Sequence, residues 1–131
     1  MDIIVTTPKS EMANAAREAE NCIKDGGGYY FRVFNTIPCK IKPGEKVWYV
    51  EDGYVRGYAI VDRIDPALKV RTCSTTGKPY RAFGYTVFMR ADSWIWTSLY
   101  KMEGFRGYRR ATGLESLKPV GGWKDPKPQI N

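Results

Sequence analysis

Apolar positions follow two different periods along this chain. From Met12 the residues Met12, Ala15, Ala16, Ala19, Cys22 and Ile23 recur every three or four positions, with Glu11, Asn14, Arg17, Glu18 and Asn21 between them. That spacing predicts a helix with one apolar face. Thr7 and Pro8 supply an N-cap and a first-turn proline, and Gly26, Gly27 and Gly28 supply a stop. The face is narrow and rich in alanine, so the helix is expected to lie close against a sheet. On either side of it the period changes. Asp2 to Thr6 is a β-branched run that reads as a strand. Tyr29 to Asn35 (YYFRVFN) carries a single charge, Arg32, and reads as a central strand. The stretch Thr36 to Lys46, with two prolines, Lys40, Lys42 and Lys46, and a Pro43-Gly44 turn, reads as loop.

The strongest local signal is Lys46 to Ile64, where two β-rich runs flank Asp52-Gly53, the pair that favours a two-residue type I′ hairpin turn. An unbroken hairpin would then pair Glu51 with Tyr54, Val50 with Val55, Tyr49 with Arg56 and Trp48 with Gly57. It would place Trp48, Val50, Val55, Gly57 and Ala59 on one face, with room over Gly57 for the Trp48 indole. Leu68 to Cys73 and Tyr85 to Ala91 read as further strands, separated by a polar stretch at residues 74–79. Asp92 to Tyr100 fits either period, because Trp94, Trp96 and Leu99 suit a helix or a strand over so short a window. Residues 118–131, rich in proline, glycine and lysine, read as an irregular tail anchored by Trp123. One early helix followed mostly by strands predicts a single α+β domain over residues 1–131. Its expected form is a small, curled, mainly antiparallel sheet or pseudo-barrel with the N-terminal helix packed against it.

Composition narrows the chemistry. The 131 residues contain no histidine, which excludes Ser/His/Asp and Cys/His nucleophiles and the HxE zinc deaminase site. Cys22, Cys39 and Cys73 are odd in number and match neither a disulfide framework nor a CxxC metal pair, so no metal and no cofactor are expected. The start has neither the basic end nor the apolar run of a secretory signal, and no stretch is apolar enough to span a membrane, which makes a cytoplasmic protein the expectation. Charge is unevenly placed. Met1 to Asp65 holds 9 Lys/Arg against 10 Asp/Glu, a net −1, whereas Pro66 to Asn131 holds 12 against 4, a net +8. A field of that sign favours a polyanionic partner.

Within the basic half, Trp94, Trp96, Tyr100, Phe105 and Tyr108 interleave with Arg90, Lys101, Arg106, Arg109 and Arg110. Cations neutralise phosphates while flat rings stack on unpaired bases. The expected base platforms are Trp48, Trp94, Trp96 and Tyr108, and the expected phosphate contacts are Lys101, Arg106, Arg109 and Arg110, with Tyr80 and Arg81 extending the same surface. Gly104 and Gly107 flank the cluster and permit a tight turn or close ligand approach.

Two stretches resemble a known superfamily. Pro43 to Ile64, in which a Pro-Gly-Glu turn leads into a strand paired with the glycine-containing return TyrValArgGlyTyr, is similar to the central hairpin of PUA-like domains. Lys101 to Arg110, KMEGFRGYRR, resembles the closing segment of their ASCH-type and EVE-type members. The resemblance implies a small pseudo-barrel with helices at its rim and a cleft for RNA or a modified nucleobase. The Gly-x-Lys-x-x-Glu-x-Arg signature of ASCH domains is absent, so no catalytic residue is carried over. The expected function is a nucleic-acid-binding module for RNA or another single-stranded nucleic acid. Two alternatives stand beside it: a histidine-independent hydrolase of modified nucleosides joining Lys9 or Arg32 to Glu51, and a basic adaptor for an acidic protein.

Overall fold

A computed structural model describes residues 1–7, 15–24, 28–34, 41–65, 69–72, 79–82 and 85–125. In chain order the elements are β1 (Ile3–Thr6), α1 (Ala15–Lys24), β2 (Tyr29–Phe34), β3 (Lys46–Glu51), β4 (Tyr54–Asp65), β5 (Lys69–Thr72), β6 (Pro79–Ala82), β7 (Tyr85–Arg90), β8 (Ile95–Lys101), β9 (Tyr108–Arg110) and β10 (Pro119–Gly122). The Thr7-Pro8 helix start predicted from sequence lies partly outside the described residues. Thr7 itself donates its N–H to the Val50 carbonyl, continuing the β1–β3 ladder. At the other end of α1, Gly28 takes φ +71° and its N–H donates to the Cys22 carbonyl at 3.2 Å, which closes the helix terminus.

The twelve-residue β4 is the spine of the sheet. Its first half lies between β3, with Lys46 opposite Ile60 and Glu51 opposite Tyr54, and β8, with Tyr54 opposite Lys101 and Tyr58 opposite Ile95. Its second half pairs instead with β7, from Val61 opposite Met89 to Asp65 opposite Thr86. The main path runs β10-β8-β4-β3-β1-β9, with β7 and then β2 branching from β4. The β1–β3 pair is parallel and the other pairs are antiparallel. Among the described residues the path does not return on itself, so the sheet is open rather than a closed barrel.

Asp52 at φ 52° and Gly53 at φ 79° have the two positive angles of a type I′ turn, and Glu51–Tyr54 and Val50–Val55 pair as the sequence predicts. The register then shifts between Tyr49 and Val50, so that Tyr49 faces Gly57 and Trp48 faces Tyr58. Arg56 is the extra residue of a β-bulge. One inserted residue reverses the facing of everything beyond it. Trp48, Val50 and Val55 therefore pack with Ile4 and Leu114 on one face of the sheet, while Ala59 joins Val47, Tyr49 and Val61 on the other. Gly57 leaves room not for Trp48 but for the incoming β8: a Cβ there would sit 2.9 Å from Trp94 Cζ2 and closer still to the Ile95 carbonyl oxygen.

Other departures have similar causes. β2 was expected to be central, yet its strand partner among the described residues is β7 alone. α1 lies against it, and Phe34 and Cys22 share one core cluster. β6 is a strand that the sequence reading did not anticipate, paired with β5 in a separate ribbon. The ambiguous 92–100 stretch resolves into a 3-10 turn at Ala91–Ser93 followed by β8. Ser93 Oγ accepts from Ile60 N–H at 2.9 Å and donates to the Arg90 carbonyl at 2.6 Å, which starts β8 alongside β4. Residues 119–122 are not irregular but form β10 against β8. Trp96 Nε1 donates to the Asp125 carbonyl at 3.2 Å, and the partly buried Trp123 packs on the main core.

Candidate nucleic-acid interface

The segment between β8 and β9 is tied down by backbone. Met102 N–H donates to the Gly53 carbonyl in the hairpin turn at 2.9 Å, and Phe105 N–H donates to Thr6 Oγ1 at 3.1 Å. A side chain at Gly104 would press on Thr6 Cγ2 at 2.9 Å, so this glycine permits the close crossing over β1. Gly107 at φ 73° turns the chain into β9, which then pairs with β1 through Val5 opposite Tyr108 and Ile3 opposite Arg110.

On this held backbone Lys101, Arg106, Arg109 and Arg110 are exposed, and none has an ion pair within 4.0 Å among the described residues. Three other arginines among the described residues are matched: Arg56 with Glu51 at 3.7 Å, Arg63 with Asp62 at 3.7 Å, Arg90 with Asp92 at 3.3 Å. Glu103 is the one acid in 101–110, so that span carries 4 − 1 = +3. Arg109 lies over the Phe105 ring at 4.2 Å, a planar cation stacked on a flat face. Arg109 pairs with Ile4 and Arg110 with Ile3, so the two guanidinium groups leave β9 toward opposite faces of the sheet. β9 ends the strand order, and a ligand lying along that edge meets both. Tyr100, 49% exposed, adds an open ring at the end of β8.

The tryptophans sit elsewhere. Trp48, Trp94 and Trp96 are 2%, 1% and 1% exposed, so all three expected platforms are core residues and offer no free face to a base. Trp94 meets Tyr49 and Trp96 edge-on at 5.4 and 5.0 Å, and Trp48 packs on Tyr58 at 4.8 Å. Strand aromatics on a sheet covered on both faces are buried, and the sequence does not state which faces are covered. Tyr108 is half-buried and edge-on to Phe34 at 5.7 Å. Tyr80 and Arg81 belong to β6 by backbone, with their side chains outside the described residues. Lys101 thus lies at the end of β8 beside the open ring of Tyr100, while Arg109 and Arg110 lie on β9 across the β4-β3-β1 path, with Phe105 under Arg109.

Two groups escaped the sequence reading. Lys46 Nζ stands 4.6 Å from the Tyr58 ring and 5.8 Å from that of Trp48, a cation over the rim of the second core. Arg56, 3% exposed, is the other, and its signal was a charge in the middle of an otherwise apolar return strand. Burial pulls its guanidinium below the ordinary arginine range, and Asp52 and then Tyr54 oppose that shift. Of the groups weighed for hydrolysis, Glu51 is held by Arg56, Lys9 lies outside the described residues, and Arg32 is placed on β2 by backbone alone.

Among the described residues no three His, Cys, Asp or Glu side chains are grouped to hold a metal ion, and no helix is long and apolar enough to cross a membrane. Comparison of the chain with protein-family models, with curated proteins and with solved structures finds no match.

Proposed function

We propose that this is a PUA-like module that binds single-stranded nucleic acid, RNA foremost, along the β9 edge and the loop that leads into it. The observation that carries the reading is the run Lys101, Arg106, Arg109 and Arg110: four exposed cations, within ten residues, that have no ion pair among the described residues and stand on a backbone fixed to β1 and to the hairpin turn. Pairing these cations with phosphate releases counterions without first breaking a protein salt bridge. Phe105, already stacked under Arg109, and the open ring of Tyr100 supply the flat contacts. The PUA-like assignment is supported by the Pro43-Gly44 turn at φ 90° leading into β3 and by the glycine-containing return strand β4. It is further supported by the closing segment, which crosses Thr6 through Gly104. The base-binding part of the proposal rests on surface stacking and not on a tryptophan-lined cleft.

The test is a titration of a fluorescent single-stranded oligonucleotide across a salt series. If all four cations neutralise phosphates, the logarithm of affinity falls with that of salt at a slope of roughly −2.8, or about 50-fold between 50 and 200 mM. Converting the four to glutamine flattens that slope. Binding that ignores salt, or a slope unchanged in the quadruple variant, refutes the proposal.

A further inference from the structure

Between the pairs Val55–Tyr100 and Gly57–Trp96 the β4–β8 ladder is interrupted, with Arg56 alone on β4 against Thr97, Ser98 and Leu99 on β8. The described residues include four buried side-chain polar atoms without a hydrogen-bond partner, and two of them belong to residues at this interruption: Arg56 Nη1 and Thr97 Oγ1. Arg56 is a donor only, and the threonine hydroxyl can donate as well. The Nε edge of Arg56 is taken, with 3.2 Å to the Glu51 carbonyl oxygen and 3.7 Å to Glu51 Oε1. The Nη1 end is left over. An arginine remains protonated when buried, so an unpaired guanidinium end in the interior is a standing cost that a matched acceptor removes. On the β8 side the interruption carries the half-buried Ser98 and Leu99 and is bounded by the exposed Tyr100.

We propose that the opening in the β4–β8 ladder is an oxyanion site, in which a phosphate or carboxylate group accepts from the free end of the Arg56 guanidinium, with the Thr97 hydroxyl as second donor. Arg56 is a donor only and the Thr97 hydroxyl can turn its proton to the same ligand, so the pair favours an anion over an amide or an alcohol, which bring donors of their own. Glu51 stays on the opposite edge of the guanidinium, where it orients Arg56 rather than meeting the ligand. The site is independent of the β9 edge, since none of its residues lies in 101–110.

Thermal unfolding of the full chain tests this in sodium phosphate, sodium acetate and sodium chloride at matched ionic strength. A saturable rise in midpoint with phosphate alone assigns a phosphate group, and a rise with acetate as well assigns the carboxylate class. R56M abolishes the rise, and T97V weakens the apparent affinity roughly tenfold. A rise no greater than in chloride means that the opening holds water only, and it overturns the proposal. So does a rise that survives in R56M, or one that is lost in R106Q/R109Q/R110Q, which would place the anion on β9. Should R56M fail to fold, the 15Nε resonance of Arg56 in the unaltered chain decides: it shifts with phosphate, or the site is refuted.

Discussion

Gly57→Ala probes the register that the bulge creates. The glycine lies between Tyr49 on β3 and Trp96 on β8, and an added methyl would meet Trp94 Cζ2 at 2.9 Å, the Ile95 carbonyl carbon at 3.1 Å and the carbonyl oxygen closer still. The indole can tilt away only by disturbing its edge contacts with Tyr49 at 5.4 Å and Trp96 at 5.0 Å. The carbonyl belongs to the backbone of β8, which is held to Tyr58. Overpacking of this kind costs about 1–3 kcal/mol, and backbone atoms in the clash place it at the upper end. Alanine also restricts the unfolded chain, offsetting roughly 0.4–1 kcal/mol. The net loss is therefore about 2 kcal/mol, which lowers the urea midpoint by about 1 M at a slope of roughly 2 kcal/mol/M. The assay is urea unfolding followed by tryptophan fluorescence. A G57A midpoint within about 0.25 M of the unaltered chain refutes the packing argument, since that is under roughly 0.5 kcal/mol. Trp94→Phe removes the indole part of the clash and recovers some of the loss, whereas Trp48→Phe, on the other face, adds its own cost independently. Rescue by W48F would instead mean that the hairpin runs without its bulge.

Further outcomes follow from the same geometry. Phe105→Leu keeps an apolar residue on the second core but removes the ring under Arg109, and it is expected to weaken single-stranded oligonucleotide binding by about 1–3 kcal/mol in an anisotropy titration, with little change in melting temperature. Trp96→Phe loses the 3.2 Å bond from Nε1 to the Asp125 carbonyl, a cost of about 0.5–1.5 kcal/mol, and hydrogen exchange over residues 119–125 accelerates before the rest of the sheet responds. Gly53→Ala forces a side chain to φ 79° and lowers stability by about 1–2 kcal/mol in denaturant, while Asp52→Asn, equally suited to a positive angle, stays within roughly 0.5 kcal/mol.

Much of the local structure was written in adjacent residues. Asp52-Gly53 determined a type I′ turn, because few residue pairs accept two positive φ angles, and with it the first two pairs of the hairpin. The charge asymmetry and the cations of 101–110 were likewise a matter of counting, and the structure leaves them exposed. Which rings stand beside them was not legible. Trp94, just before β8, and Trp96 within it keep the same spacing whether their face is open or covered, and the covering comes from Tyr49, Val47 and Val61, far away in sequence.

What the sequence alone determined, then, is the set of strands with strong turn or branching signals, the helix that precedes them, and the positive sign of the later half. Tertiary structure decided the rest. The bulge at Arg56 arises where β4 must serve β3 and β8 at once, a three-strand condition that no two-strand pattern contains, and it reverses the facing of every residue after it. β10 pairs with the edge of β8 that β4 leaves open, and β2 ends its branch with α1 packed against it. Hydrogen-bond ladders between distant strands, and the burial they impose, depend on neighbours in space, and one-dimensional spacing carries that information only where the neighbours are also adjacent in the chain.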